Sequence, residues 1–214
     1  MLNGTTRTYF GRLAEIERDP ALASRYRDLL SSDPARVAAA DAWLRANIPA
    51  QASMLRSSIS PTIIQGGYRN NVIPSEAKAT LDVRMRPEEN ADAFRAEVER
   101  VIGDDQVDVV FNNYSPRPVG AMSPIDDAAF AVIERAIRAH YAAPVVPMMG
   151  TGASDMAFLR NKGMSCYGVG PAADEEDGPL GFGAHSDQER ILESELYRFV
   201  RFYYDLVTDL AGAD

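Results

Sequence analysis

The chain is short of the residues that build covalent frameworks and metal cages. It has one cysteine, Cys166, and two histidines, His140 and His185. One cysteine excludes an internal disulfide framework and fits a reducing compartment. A zinc site needs about three protein ligands, and these three residues sit in elements with no reason to converge. Positive charge is short as well: 22 Lys and Arg face 31 Asp and Glu, a net charge of −9. That balance disfavours the basic surface that phosphate backbones require, so no nucleic-acid partner is expected, and it disfavours an anionic membrane surface. No apolar run approaches the ~20 residues that cross a bilayer. The opening residues, Met1 to Arg7, carry no apolar stretch of the kind a signal peptide needs. The expected location is cytoplasmic, with no membrane partner. Internal repeats and low-complexity tracts are absent too.

What is present is an ordinary globular composition over 214 residues, room for one large domain or two small ones. Residues 5–48 read as helices, with apolar stripes at Phe10, Leu13 and Ile16 and at Leu22, Tyr26, Leu29 and Leu30. Ser32-Asp33-Pro34 marks a helix start. From residue 57 the period changes to two. Ser60 to Gln65 is β-rich and ends in Gly66-Gly67; Ala79, Leu81, Val83 and Met85 then alternate with Thr80, Asp82 and Arg84. Arg84 falls on the polar face of that strand. Asn90 caps a helix striped by Phe94, Val98, Val101 and Ile102 and stopped at Gly103. A further strand is expected at 107–111. Strand, strand, helix, strand is most of a small α+β sandwich.

Pro116 to Gly120 reads as a linker, and Ser123-Pro124-Ile125-Asp126 as a capping box. The helix that follows carries Phe130, Ile133, Ile137 and Tyr141, with His140 as a surface residue near its end. Strands are expected at 145–148 and across 164–171, where Cys166 reads as a buried small hydrophobe. Between them, Gly150-Thr151-Gly152-Ala153-Ser154-Asp155 is a glycine-rich turn expected to open a helix at Ser154, its free amides suited to an anion or a carbonyl oxygen. A loop with Asp174, Glu175, Glu176 and Asp177 leads to His185. On the last expected helix Leu196, Phe199, Val200, Tyr203, Val207 and Leu210 share a face.

Five short motifs occur in a telling order: Asn71-Val72-Ile73-Pro74; Asp82-Val83-Arg84; Gly152-Ala153-Ser154-Asp155; Tyr167-Gly168-Val169-Gly170-Pro171; and His185 with Glu189-Arg190. Together they resemble the zinc-dependent metallopeptidases that include aminoacylase, carboxypeptidase S, glutamate carboxypeptidase and succinyl-diaminopimelate desuccinylase. The resemblance covers roughly residues 55–212. It implies an α/β (α+β) chain: a ferredoxin-like lid joined to part of an open α/β catalytic domain. On that pattern residues 1–54 are a helical insertion of the lid, 55–118 the incomplete lid and dimerisation domain, and 119–214 the C-terminal part of the catalytic domain.

The resemblance also assigns roles. His185 is the expected metal ligand of a site that holds two zinc ions in the intact family. Asn71 and Arg84 are expected to bind the substrate's carboxylate and carbonyl, and Gly152, Ala153 and Ser154 to line its pocket. A neutral imidazole suits zinc, and a guanidinium grips a carboxylate in a two-point fork. The family's His-x-Asp motif, bridging Asp and Glu-Glu pair have no counterpart here, so no catalytic residue is assigned. The chain then reads as the C-terminal half of such an enzyme, inactive alone and not expected to hold zinc tightly. The expected substrate is a small peptide or an N-acyl amino acid; the expected partner is a second copy through the lid, or a complementary N-terminal half. Two other readings stay open: a non-catalytic dimerisation or interaction module, and a soluble α/β domain in which Arg84 simply pairs with Asp82.

Overall fold

In the computed structural model the described residues are 2–111, 118, 122–171, 176, 177, 180, 182, 183 and 185–212. The expected linker at 116–120 lies almost wholly outside them, as do Asp174 and Glu175. The chain divides into two compact units: Met1–Met122 with Val146–Met164, and Ser123–Val145 with Ser165–Asp214. It is an α/β chain of helices and a small antiparallel sheet, and no described helix is long and apolar enough to cross a membrane.

The first unit opens with three helices, as expected: α1 (Gly4–Ile16), α2 (Pro20–Leu29) and α3 (Pro34–Asn47), then the short α4 (Pro49–Ser53). Each long helix begins on a polar cap. Asn3 and Thr6 form a capping box on α1, and Asp19 and Asp33 cap α2 and α3 ahead of a proline at the first turn. Their apolar stripes meet around Phe10, which is fully buried with Leu44 and Ala40. Tyr9 meets Phe10 edge-on at 5.0 Å and Tyr26 lies 5.8 Å from it; Leu29, Met54 and Met149 complete the cluster.

A hairpin follows: β1 (Ser58–Gly66) pairs antiparallel with β2 (Ala77–Arg84), Ser58 opposite Arg84 and Gly66 opposite Ala77. The register slips between Pro61 and Ile63, a bulge at Thr62, whose hydroxyl donates to the Thr80 carbonyl at 3.2 Å. A proline cannot donate to a ladder, so a bulge beside it is the expected accommodation. Helix α5 (Ala91–Ile102) is capped by Asn90 and ends on Gly103 at φ 62°, a left-handed stop that glycine adopts without strain. Its stripe is less covered than expected: Phe94 and Val98 are half-buried, Val101 and Ile102 exposed.

In the second unit α6 (Ala128–Tyr141) packs on α8 (Glu193–Ala211) through Val132, Ile133, Ala136, Phe202 and Leu206. Phe202 is fully buried, with the rings of Phe199, Tyr141 and His140 around it at 5.7–5.8 Å. Only part of the apolar face of α8 is covered. Phe199 belongs to the packed side, but Leu196, Val200, Tyr203, Val207 and Leu210 are exposed. The helix is apolar on two sides, and α6 covers only one of them. The α6 start is corrected: Asp127, not Ser123, is the cap.

The strands expected at 107–111, 145–148 and 164–171 do not form; β1 and β2 are the only ladder among the described residues. A strand exists only by pairing, and these apolar segments meet no neighbouring strand there.

Candidate functional site

Arg84 closes β2. Its Nε and Nη2 both reach Asp82 Oδ2 at 2.9 Å, and both side chains are about half exposed. Residues i and i+2 of a strand share a face, so the pairing follows from the period of two. The pair is solvated, which leaves the guanidinium exchangeable: an arriving carboxylate would displace a weak surface partner. Asn71 is also exposed, in the turn between the strands, where Val72 N–H donates to the Arg69 carbonyl at 3.3 Å. The two residues lie at opposite ends of the hairpin: Arg84 opposes Ser58 at its open end, Asn71 sits beyond the Gly66–Ala77 end. The two residues expected to meet the substrate's carboxylate and carbonyl are therefore not brought together within one hairpin.

The 150–155 turn is exposed. Gly152 has nothing within 4 Å of where a Cβ would stand. The helix after it, α7 (Met156–Arg160), opens two residues later than expected, with Asp155 at the cap position and no side-chain cap. The Ala157 and Phe158 amides are spent locally, on the Ser154 and Asp155 carbonyls at 3.3 and 3.0 Å. The turn offers an open surface, with these two amides of α7 already bonded.

His185 is exposed, with φ 70°. Its N–H donates to Glu189 Oε2 at 3.0 Å. Asp177, one acid of the loop that leads to His185, is buried against Arg190, whose Nε lies 3.0 and 3.1 Å from its two carboxylate oxygens and whose Nη2 is 2.5 Å from Oδ1. The guanidinium holds the Asp177 carboxyl below the usual carboxylate range. Among the described residues no three His, Cys, Asp or Glu side chains gather where they could hold a metal. The described residues do not gather a zinc set around His185.

The strongest polar network lies beneath α6. Asp127 accepts the Phe130 N–H at 2.7 Å and the Tyr167 hydroxyl at 2.6 Å, and that hydroxyl is also 2.5 Å from the Pro124 carbonyl. Tyr167 and the Phe130 amide lower the Asp127 carboxyl; burial first, and then Asp127 itself, push the Tyr167 phenol up to about 12. Ser123 Oγ both donates to the Cys166 carbonyl and accepts its N–H, each at 2.8 Å. Cys166 is half-buried, held by its backbone rather than sunk in a sheet. His140 bonds Asp205 through Nε2 at 2.9 Å and joins α6 to α8, a tie that its place near a helix end did not reveal. Sequence reading missed these three ties and the Asp177–Arg190 fork because the partners are 13 to 65 residues apart; only the adjacency of Arg190 to the His185 motif hinted at the last.

Comparison with known proteins adds a family to this geometry. Residues 14–110 match the family described as "Peptidase dimerisation domain". The chain is 28% identical to the N-fatty-acyl-amino acid synthase/hydrolase PM20D1 of Xenopus tropicalis, over 81% of this chain and 35% of that protein. It is 26% identical to the probable carboxypeptidase S-like 2 of Dictyostelium discoideum, over 74% of this chain and 30% of that protein. Against the aminoacylase-1 of Mus musculus it is 26% identical, over 73% of this chain and 37% of that protein. The chain thus spans about a third of the length of the curated relatives it matches. No solved structure gives a significant match.

Proposed function

We propose, from the premise that residues 14–110 are a peptidase dimerisation domain in a chain related to the aminoacylase and carboxypeptidase S metallopeptidases, that this chain is the dimerising lid and C-terminal portion of an amide hydrolase. Its substrate class is a small peptide or N-acyl amino acid, cut at an amide next to a free carboxylate. The match over 14–110 carries the proposal, and the order of the five motifs across the rest of the chain supports it. Arg84 and Asn71 are the residues proposed to meet the carboxylate and carbonyl. Their separation along one hairpin favours a site that draws them from two copies of the lid. Gly152, Ala153 and Ser154 are proposed as pocket wall and His185 as one metal ligand among several, with zinc as the metal. The chain's proposed part is binding and assembly, not the bond-breaking step, and the alternative of a pure dimerisation module differs from it in having no carboxylate site, pocket wall or metal ligand.

The test is a titration of an N-acyl amino acid and of its uncharged carboxamide, followed by amide chemical shifts. The free acid should move the Arg84 region and the carboxamide should not. Arg84→Met should abolish the difference while shifting folding stability by no more than about 0.5 kcal/mol, the range of surface sites. Equal responses to acid and carboxamide would reject the carboxylate site. A collapse of folding in Arg84→Met would assign Arg84 to Asp82 as a structural partner.

A further inference from the structure

We propose that Asp177 is a positioning residue: with Arg190 it clasps the two ends of the segment carrying His185 and holds His185 in its left-handed backbone conformation. The proposal builds on the reading of His185 as a site residue, yet the clasp can be tested without it.

A residue with a β-carbon at φ 70° is strained relative to glycine, and His185, of a type that visits this region more often than most side chains, still carries that penalty. Such strain persists where the surroundings over-determine the backbone, and it gathers at ligand clamps. The surroundings here do so from two sides. On one side, the Asp177 carboxylate takes Arg190 in the fork described above, and the Asp177 carbonyl accepts the Phe182 N–H at 3.0 Å. One residue therefore fixes two points of the segment. Arg190 in turn lies over the Phe182 ring, 4.8 Å from its centroid. On the other side, the Glu189 carboxylate accepts the His185 N–H, Ser186 N–H donates to the Gly183 carbonyl at 3.2 Å, and Glu189 N–H donates to Ser186 at 3.1 Å.

The fork is buried on its carboxylate side, as the Arg198–Glu195 pair also is. The Asp177 side chain is 11% exposed, whereas its guanidinium partner is 59% exposed. A carboxylate that far out of water depends on its partner: removal of the guanidinium leaves a buried charge without its ion pair. The geometry is also two-pointed, so it sets direction as well as distance. The ring of His185, by contrast, stays in solvent. With its backbone set, only the side-chain torsions remain to be ordered when a ligand arrives, and preordering of this kind raises affinity without adding a contact.

The experiment uses isotope-labelled chain and three readouts. The one-bond Cα–Hα coupling of His185 reports the sign of its φ. Exchange of the His185 amide reports the Glu189 bond. The rate of tryptic cleavage after Arg190 reports whether its guanidinium is held. In the wild type the coupling should be that of a positive φ. Asp177→Asn should move it to the value of negative φ, and raise both amide exchange and Arg190 cleavage by at least about tenfold, as for a locally opened segment. Cleavage after Arg198 and Arg201 in α8 should stay unchanged, showing that the unit is still folded. Arg190→Lys, which keeps the charge and loses the fork, should show the same backbone change. Glu189→Gln should raise exchange at His185 while leaving Arg190 protected, and it guards the test against a fold lost in Asp177→Asn. A negative φ in the wild type, or an unchanged coupling in both Asp177→Asn and Arg190→Lys, would overturn the clasp. The carboxylate titration can fail while the clasp stands, so the two readings separate.

Discussion

Single residues show where this chain is under strain and where its stability responds to pH. Ala142 ends α6 in the left-handed region at φ 48°, its N–H on the Arg138 carbonyl at 3.1 Å. Ala142→Gly keeps that bond and removes the β-carbon penalty, so a gain of about 0.5–1 kcal/mol in denaturant unfolding is expected. The Asp127–Tyr167 pair works in the opposite pH directions at its two members. Tyr167 holds its proton up to about 12 in the fold, above its ordinary value near 10. Its stabilising effect is therefore complete below about pH 10 and lost as pH rises to about 12, a loss of no more than about 2 kcal/mol after solvent screening. The lowered Asp127 carboxyl contributes above the ordinary carboxylate range and loses that contribution as pH falls through its folded value. Melting curves of Tyr167→Phe should show a shallower fall at both ends; Tyr9, Tyr26 and Tyr141, also raised by burial, keep part of the alkaline arm. Unchanged slopes would remove the pair from this role. Caps such as Asp33, Asn90 and Gly103, and the Arg84–Asp82 pair, were legible in the sequence because each acts within a few positions along the chain. The Asp177–Arg190 fork was not, since nothing local marks which acid a distant arginine will find.

Among the elements, the helices were legible and most of the strands were not. A helix satisfies its own backbone, so an apolar period and two caps are enough to place α1, α2, α3 and α5. A strand needs a neighbour; β1 and β2 supply one another, but 107–111, 145–148 and 164–171 have none among the described residues. The same dependence on partners explains α8, whose two apolar sides no periodicity could rank. A paired comparison tests the assignment. Phe202→Ala should cost about 3–5 kcal/mol, the usual loss for an aromatic ring in a closed core. Val200→Lys with Val207→Lys should stay within about 0.5 kcal/mol and should weaken binding of an apolar dye. A loss of several kcal/mol in the lysine variant would show that this stripe is covered.

At the scale of the whole molecule, association is the expected behaviour. Ile63 and Leu81 on the hairpin and the stripe of α8 leave apolar surface in water. Light scattering across a tenfold concentration range should show a species heavier than one chain, and self-association should strengthen as pH falls toward the isoelectric point near 4.8, where like-charge repulsion fades. A monomer at every concentration and pH would contradict this. How far that association can run depends on the bulge in β1. Pro61 and the slipped register spoil one rim of the hairpin as a template, while β2 keeps an unbroken row of backbone groups. Each copy thus has a valence of one for strand addition. Strand addition by this route is expected to end at a pair, because two copies joined through β2 use up both unbroken rims; any larger species would have to grow through another surface, such as the α8 stripe.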